Sequence, residues 1–151
     1  LKKTNGNSFV AGKLVNLERA LKLSDLLDGH LLQGHIDSRA KVIAVKKQGA
    51  STLITIAVPK HLKKHTALHG SIAINGASLT IAKQTGDALT VALIPYTLTH
   101  TNLHLIKKGD EVNIETDFWA RHHQVRKYAR VAGNATGRVS KNTRSKRRLK
   151  A

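Results

Sequence analysis

Cysteine is absent from all 151 residues, which excludes disulfides, thiolate metal sites and a cysteine nucleophile within them. That suits a reducing compartment. Methionine is absent too, even at the first position, and Leu1-Lys2-Lys3 lacks the apolar core of a secretory signal, so the start reads as a processing or truncation point. Long apolar runs are also missing. The apolar stretches are strand-sized and broken by charges, far short of the roughly 20 residues that a helical membrane span needs, so a soluble chain with no membrane partner is expected. Acidic residues are missing from one part of the sequence: all 9 lie at or before Asp117, whereas 121–151 hold 11 of the 26 Lys+Arg and no acid, within a formal charge of +17. Two kinds of segment have been joined.

What is present fits one hydrophobic core, the usual number for a chain of this length. An internal repeat runs at a constant offset of 97: Leu1, Thr4, Asn5, Gly12, Val15, Asn16 and Glu18 reappear as Leu98, Thr101, Asn102, Gly109, Val112, Asn113 and Glu115. Residues 19–117 then make one whole copy, and residues 1–18 are the last strand of an earlier one. Within the whole copy, β-branched and alternating runs at Ile36–Val45, Thr52–Val58, Ser71–Asn75, Ser78–Lys83, Leu89–Ile94 and Glu111–Glu115 are separated by Gln48-Gly49, Asn75-Gly76 and Gly86-Asp87. Short antiparallel strands closed into a barrel are expected, with one helical turn in Pro59–His65. After Asp117 the period becomes helical. Phe118, His122, Val125, Ala129 and Ala132 share one stripe, with Asp117 as N-cap, so 118–132 is expected to be a helix and 133–151 a basic tail unable to fold alone.

Four strings carry a family resemblance: Gly29-His30 followed by Gly34-His35-Ile36-Asp37, Gly70 to Thr80 (GSIAINGASLT), Leu93 to Asn102 (LIPYTLTHTN) and Val112 to Asp117 (VNIETD). Together they resemble riboflavin synthase and its lumazine-binding relatives, and Val15 to Ala20 (VNLERA) resembles the end of that family's first barrel. The resemblance covers residues 1 to about 131. It implies an all-β fold, a six-stranded antiparallel Greek-key barrel of the riboflavin synthase type, with a C-terminal helix that helps form a homotrimer. The reaction it implies is a cofactor-free dismutation of two molecules of 6,7-dimethyl-8-ribityllumazine into riboflavin and a pyrimidinedione. Each barrel contributes one substrate at an interface, so this chain holds one complete half-site and lacks the other.

Carried over by position, the substrate contacts are Gly34, His35 and Ile36, then His69, then Ser78, Leu79 and Thr80, then Ala92, Leu93, Ile94, Pro95, Tyr96 and Thr97. Such a set suits a neutral polyhydroxylated ligand, which needs backbone amides and small hydroxyls more than charges. Ser78 and Thr80, two apart on a strand, share a face, and they are expected to meet His35 and Ile94-Pro95 at one barrel mouth. The candidate catalytic residues are His35 first, then His30, with Ser78 and Asp117. Imidazole suits the proton transfers that the reaction requires near neutral pH. Each histidine has a plainer alternative as a hydrogen-bonded residue of the barrel rim, and Asp117 has one as a helix cap. His69 stands where several relatives place a lysine that reaches the substrate. No metal or cofactor is implied.

The basic run offers a second function. Arg126, Lys127, Arg130, Arg138, Lys141, Arg144, Lys146, Arg147, Arg148 and Lys150 form a candidate RNA-binding arm, since such a run neutralises phosphates by counterion release without reading sequence. The competing reading is a solvated tail. Two functional classes follow: a riboflavin synthase-like barrel binding lumazine or riboflavin, or a catalytically inactive barrel recruited to rRNA and neighbouring proteins of an organellar ribosome. The first allows a cytoplasmic or organellar location, the second the mitochondrial matrix.

Overall fold

The computed structural model describes residues 3–27 and 29–122. Six strands follow one another: β1 (Ser38–Gln48), β2 (Ser51–Ala57), β3 (Ser71–Ile74), β4 (Ala77–Thr85), β5 (Ala88–Leu93) and β6 (Glu111–Thr116). All neighbours are antiparallel, in the order β1-β2-β5-β4-β3-β6, and β6 pairs with β1 to close the barrel. The chain skips from β2 to β3 across the barrel, and β6 then fills the gap between β3 and β1, which is Greek-key connectivity. Closure leaves no strand edge to pair with another molecule.

Alternation in sequence becomes alternation in burial. Leu89, Val91 and Leu93 of β5 point inward, as do Ile54 and Ile56 of β2, Ile72 and Ile74 of β3, and Leu79 and Ile81 of β4. Each such side chain contributes roughly 1.5–3 kcal/mol on leaving water. The β3–β4 hairpin turns on Asn75 (φ 46°) and Gly76 (φ 81°), two successive left-handed residues whose twist matches that of the flanking strands. Asn75 Oδ1 also accepts from the Asn113 N–H at 2.9 Å, tying the turn to β6.

Between β5 and β6 lies a short helix, α1 (Pro95–His100), which the sequence pattern does not announce. Tyr and Thr are indifferent helix formers. What holds it is Pro95 in the first turn, the hydroxyls of Thr99 and Thr101 donating back to Pro95 O and Thr97 O (3.2 and 2.7 Å), and Leu98 packed on the core. The expected turn in Pro59–His65 forms as a 3-10 helix at Lys63–His65.

Residues 3–18 add no strand to the barrel; they form a strap on its outside, fixed where Asn5 N donates to Asn113 Oδ1 and Asn16 Nδ2 to Asn75 O, both at 2.8 Å. A strand needs a free ladder beside it, and closure leaves none. At the other end, Trp119 N and Ala120 N donate to Asp117 Oδ1 (2.6 and 3.1 Å), so Asp117 caps the helix that starts at 118. The rest of the stretch to 132, and the basic arm from Arg126 to Lys150, lie outside the described residues. Among the described residues no helix is long and apolar enough to cross a membrane.

Candidate functional site

Strand pairing assembles the candidate residues. Ser71 lies opposite Thr80 and Ala73 opposite Ser78 on the β3–β4 hairpin, and Ile81 lies opposite Val91 on β4–β5. Thr80 and Ser78 precede that last pair on β4, and Ala92 and Ile94 follow it at and just beyond the end of β5. All four are exposed. They form a patch of two hydroxyls beside two apolar side chains on the outer surface of the barrel, rather than in a mouth opening to its interior. The interior is occupied: Leu79 and Leu93 are 7% and 0% exposed. Both were expected among the substrate contacts, but their side chains fill the core, leaving only their backbone for a ligand.

The segment 30–37 passes from β4 to β6 between two anchors. At its start His30 Nδ1 lies 2.6 Å from Ser78 Oγ, while His30 Nε2 is buried without a partner. At its end Asp37 N donates to Ile114 O (3.0 Å), and Asp37 Oδ2 accepts from Thr116 N and Oγ1 (2.8 and 2.7 Å). Arg121 locks this second anchor. Its guanidinium lies 2.9 Å from Asp37 Oδ1 and 3.6 Å from Glu115 Oε1, which itself accepts from Gln33 N at 3.0 Å. Glu115 is 3% exposed; burying a carboxylate is costly unless a cation and a donor meet it, and here both do.

Between the anchors, Gly34 takes φ 71° and His35 is exposed, without a hydrogen bond among the described residues. Ile36 is half-buried. Of the two histidines, the structure joins His30, not His35, to the serine. His69 adopts φ 65°, and its N–H donates to Ile81 O (2.9 Å), which sets it at the start of β3 beside the Thr80 end of the patch. Beyond Ile94 and Pro95, Tyr96 is exposed and stacks on His100 with ring centroids 3.9 Å apart, and Thr97 is half-buried. Asp117 Oδ1 is engaged in capping. Sequence put Arg121 at the start of the phosphate-binding basic segment and Glu115 only in the repeat and the β6 run; the structure instead engages Arg121 with Asp37 and Glu115 on the barrel. The available signal was a glutamate inside the β6 run and an arginine one turn after the helix cap.

A cleft of about 870 Å³ opens elsewhere, between the strap and the barrel, lined by Asn5, Lys13, Arg39, Asn102 and Glu111 among others. Its walls mix those charged and amide groups with the aliphatic side chains of Leu14, Leu105, Ile106 and Val112, and none of the residues expected at the ligand site lines it. No group of three or more metal-ligating side chains occurs among the described residues.

Residues 33–117, more than half of the chain, match the lumazine binding domain family. Riboflavin synthase of Photobacterium leiognathi is 38% identical over 140 residues, 92% of this chain and 64% of that protein. Riboflavin synthase of Brucella abortus is 38% identical over 122 residues, 81% of this chain and 60% of that protein. The chain thus spans under two thirds of the length of these relatives. Among solved structures, LumP complexed with riboflavin superposes with a TM-score of 0.68 at 30% identity, covering 76% of this chain and 62% of that one. LumP complexed with 6,7-dimethyl-8-(1'-D-ribityl) lumazine gives 0.68 at 28% identity, covering 77% and 62%.

Proposed function

The chain belongs to the lumazine-binding domain family, that of riboflavin synthase, and from that premise we propose that the outer β4–β5 face is a half-site for one molecule of 6,7-dimethyl-8-ribityllumazine or riboflavin. The observation that carries this reading is the His30–Ser78 contact at 2.6 Å, which brings a histidine with an unpartnered buried Nε2 to a strand bearing two exposed hydroxyls. Ala92 and Ile94 supply an apolar floor for a flat ring. Ser78, Thr80 and the backbone about Gly34 supply donors and acceptors for ring edges and ribityl hydroxyls.

The same arrangement suits one half of a dismutation. Two ribityllumazines held face to face exchange a four-carbon unit, one becoming riboflavin and the other the pyrimidinedione. The step begins with loss of a proton from an acidic methyl group. In this reading His30 takes or returns that proton at Nε2 when the ligand displaces the groups that cover it, and Ser78 holds its ring through the other nitrogen. His35, exposed on the loop between the anchors, is the second proton carrier. The partner half-site must come from another barrel, with the helix after Asp117 helping to hold a trimer.

Fluorescence titration of the full chain with riboflavin tests this. One ligand per chain, lost on replacing both Ser78 and Thr80 by alanine, is expected; undiminished binding in that double variant moves the site off this face. The rRNA reading rests on the charge of 121–151 alone, so ligand binding takes precedence.

A further inference from the structure

Residues 34–36 make no hydrogen bond among the described residues. Their path is therefore set by the residues on either side, Gln33 and Asp37, and one side chain reaches both. Arg121 Nη1 lies 2.9 Å from Asp37 Oδ1, and Nη2 lies 3.5 Å from Gln33 Oε1 and 3.6 Å from Glu115 Oε1. Glu115 Oε1 in turn accepts from Gln33 N at 3.0 Å. A planar guanidinium meets acceptors on both of its arms at once.

Arg121 belongs to no strand of the barrel. It comes from the first turn after Asp117, where Arg121 N donates to Asp117 O at 3.1 Å and Asp117 Oδ1 caps Trp119 N and Ala120 N. The clamp on segment 30–37 is thus delivered by a local element with its own cap. Its side chain is only 19% exposed, so solvent ions screen these charges weakly. Without the cation, the carboxylates of Asp37 and Glu115 would be left close together, and one of them would have to take up a proton or turn to water. If Asp37 turned, it would release Thr116 N and Oγ1; if Glu115 turned, it would release Gln33 N. Either change frees one end of 34–36.

We propose that Arg121 is a positioning residue of the half-site: it touches no ligand, and it fixes Gln33 and Asp37 so that the Gly34 backbone and His35 stay turned to the ligand. The proposal rests on the half-site reading above. It makes ligand affinity depend on how the turn after Asp117 is docked on the barrel. The dependence is reciprocal, as any coupling between two equilibria is: whatever loosens that turn weakens ligand binding, and bound ligand tightens the turn in return.

The test combines fluorescence titration with riboflavin and hydrogen-exchange mass spectrometry of the ligand-free full chain, on Arg121→Met, Arg121→Lys and Leu89→Ala. Leu89 is 2% exposed and lies near the opposite end of β5 from Ala92, so truncating it lowers stability without touching segment 30–37. If Arg121 served the fold alone, Arg121→Met and Leu89→Ala would behave alike. Instead, Arg121→Met is expected to weaken riboflavin binding about tenfold, the scale of one to two hydrogen bonds. Exchange across 30–37 should speed by a similar factor while the strands keep their protection. Leu89→Ala should leave both readouts within about twofold, as distant sites do not couple. Arg121→Lys keeps a cation between the two acids, which guards against a methionine variant that fails to fold, and its affinity should lie between the wild type and Arg121→Met. Unchanged exchange across 30–37 in the Arg121 variants, or faster exchange with unchanged affinity, overturns the proposal. A wild-type chain that binds no riboflavin overturns the half-site reading itself, a result distinct from either.

Discussion

The imidazole of His30 and the hydroxyl of Ser78, 48 residues apart in sequence, meet at 2.6 Å on the outside of the barrel. The bond ties a loop without secondary structure to a strand whose register is fixed by β3 and β5. The loop thereby acquires the rigidity that a binding surface needs. Because Ser78 is exposed, the contact contributes little to folding, and its loss should be read out in binding.

Ser78→Ala is expected to weaken riboflavin or ribityllumazine affinity by about 1 kcal/mol, the net scale of one hydrogen bond, with an unchanged unfolding midpoint. His30→Ala should weaken it by a similar amount. If the two act as one unit, the double variant should lose less than the sum of the single losses, with a coupling of roughly 0.5 kcal/mol or more. Strict additivity in fluorescence titrations would separate the two residues and remove His30 from the site.

The second anchor should respond in stability. Arg121→Met leaves the carboxylates of Asp37 and Glu115, 14% and 3% exposed at the side chain, near one another without their cation. A loss of about 3 kcal/mol in denaturant unfolding is expected, the cost of stripping one partner from a buried pair. Arg121→Lys should recover only part of it, since an ammonium cannot present a planar fork to two acids. A loss below about 0.5 kcal/mol would mean that the cluster behaves as an exposed bridge.

The barrel was legible because inward positions such as Leu89, Val91 and Leu93 repeat at period two and because Asn75-Gly76 marks its hairpin so clearly. A period of two says that Ser78 and Thr80 share a face but not which face, so a mouth was expected where the structure has an outer surface. Which histidine meets Ser78 depends on the path of residues 29–37, which no periodicity encodes. Glu115 escaped notice because alternation fails in β6. Ile114, Glu115 and Thr116 are all buried, since the strand lies between β1 and β3 and segment 30–37 covers its outer side. Helix α1 is held by side-chain hydroxyls and Leu98, and local propensity registers neither.

The division between core and outer face predicts two opposite outcomes on strands β6 and β4, which flank β3. Ile114→Ala, at a position 0% exposed, should cost about 3 kcal/mol in chemical denaturation through lost burial and the cavity left behind. Thr80→Ala, on the exposed face, should change stability by less than about 0.5 kcal/mol while reducing ligand affinity. If Thr80→Ala destabilises as much as Ile114→Ala, its hydroxyl serves the fold and not the ligand.

The basic end of the sequence makes an electrostatic prediction independent of the barrel. Residues 139–151 carry Lys141, Arg144, Lys146, Arg147, Arg148 and Lys150 with no acid. If these cations contact phosphates, each contact releases condensed counterions, and affinity for single-stranded RNA falls with salt with a log–log slope of about 0.7 per phosphate neutralised. Deleting 139–151 should therefore flatten the slope by up to about 4, while riboflavin titration of the truncated chain stays unchanged. Equal slopes for the two chains would show that these charges make no phosphate contact. A flattened slope with equal affinity for unrelated RNA sequences would identify backbone contact without base reading. That outcome would give the tail a generic polyanion role and leave the Ser78 face as the source of specificity.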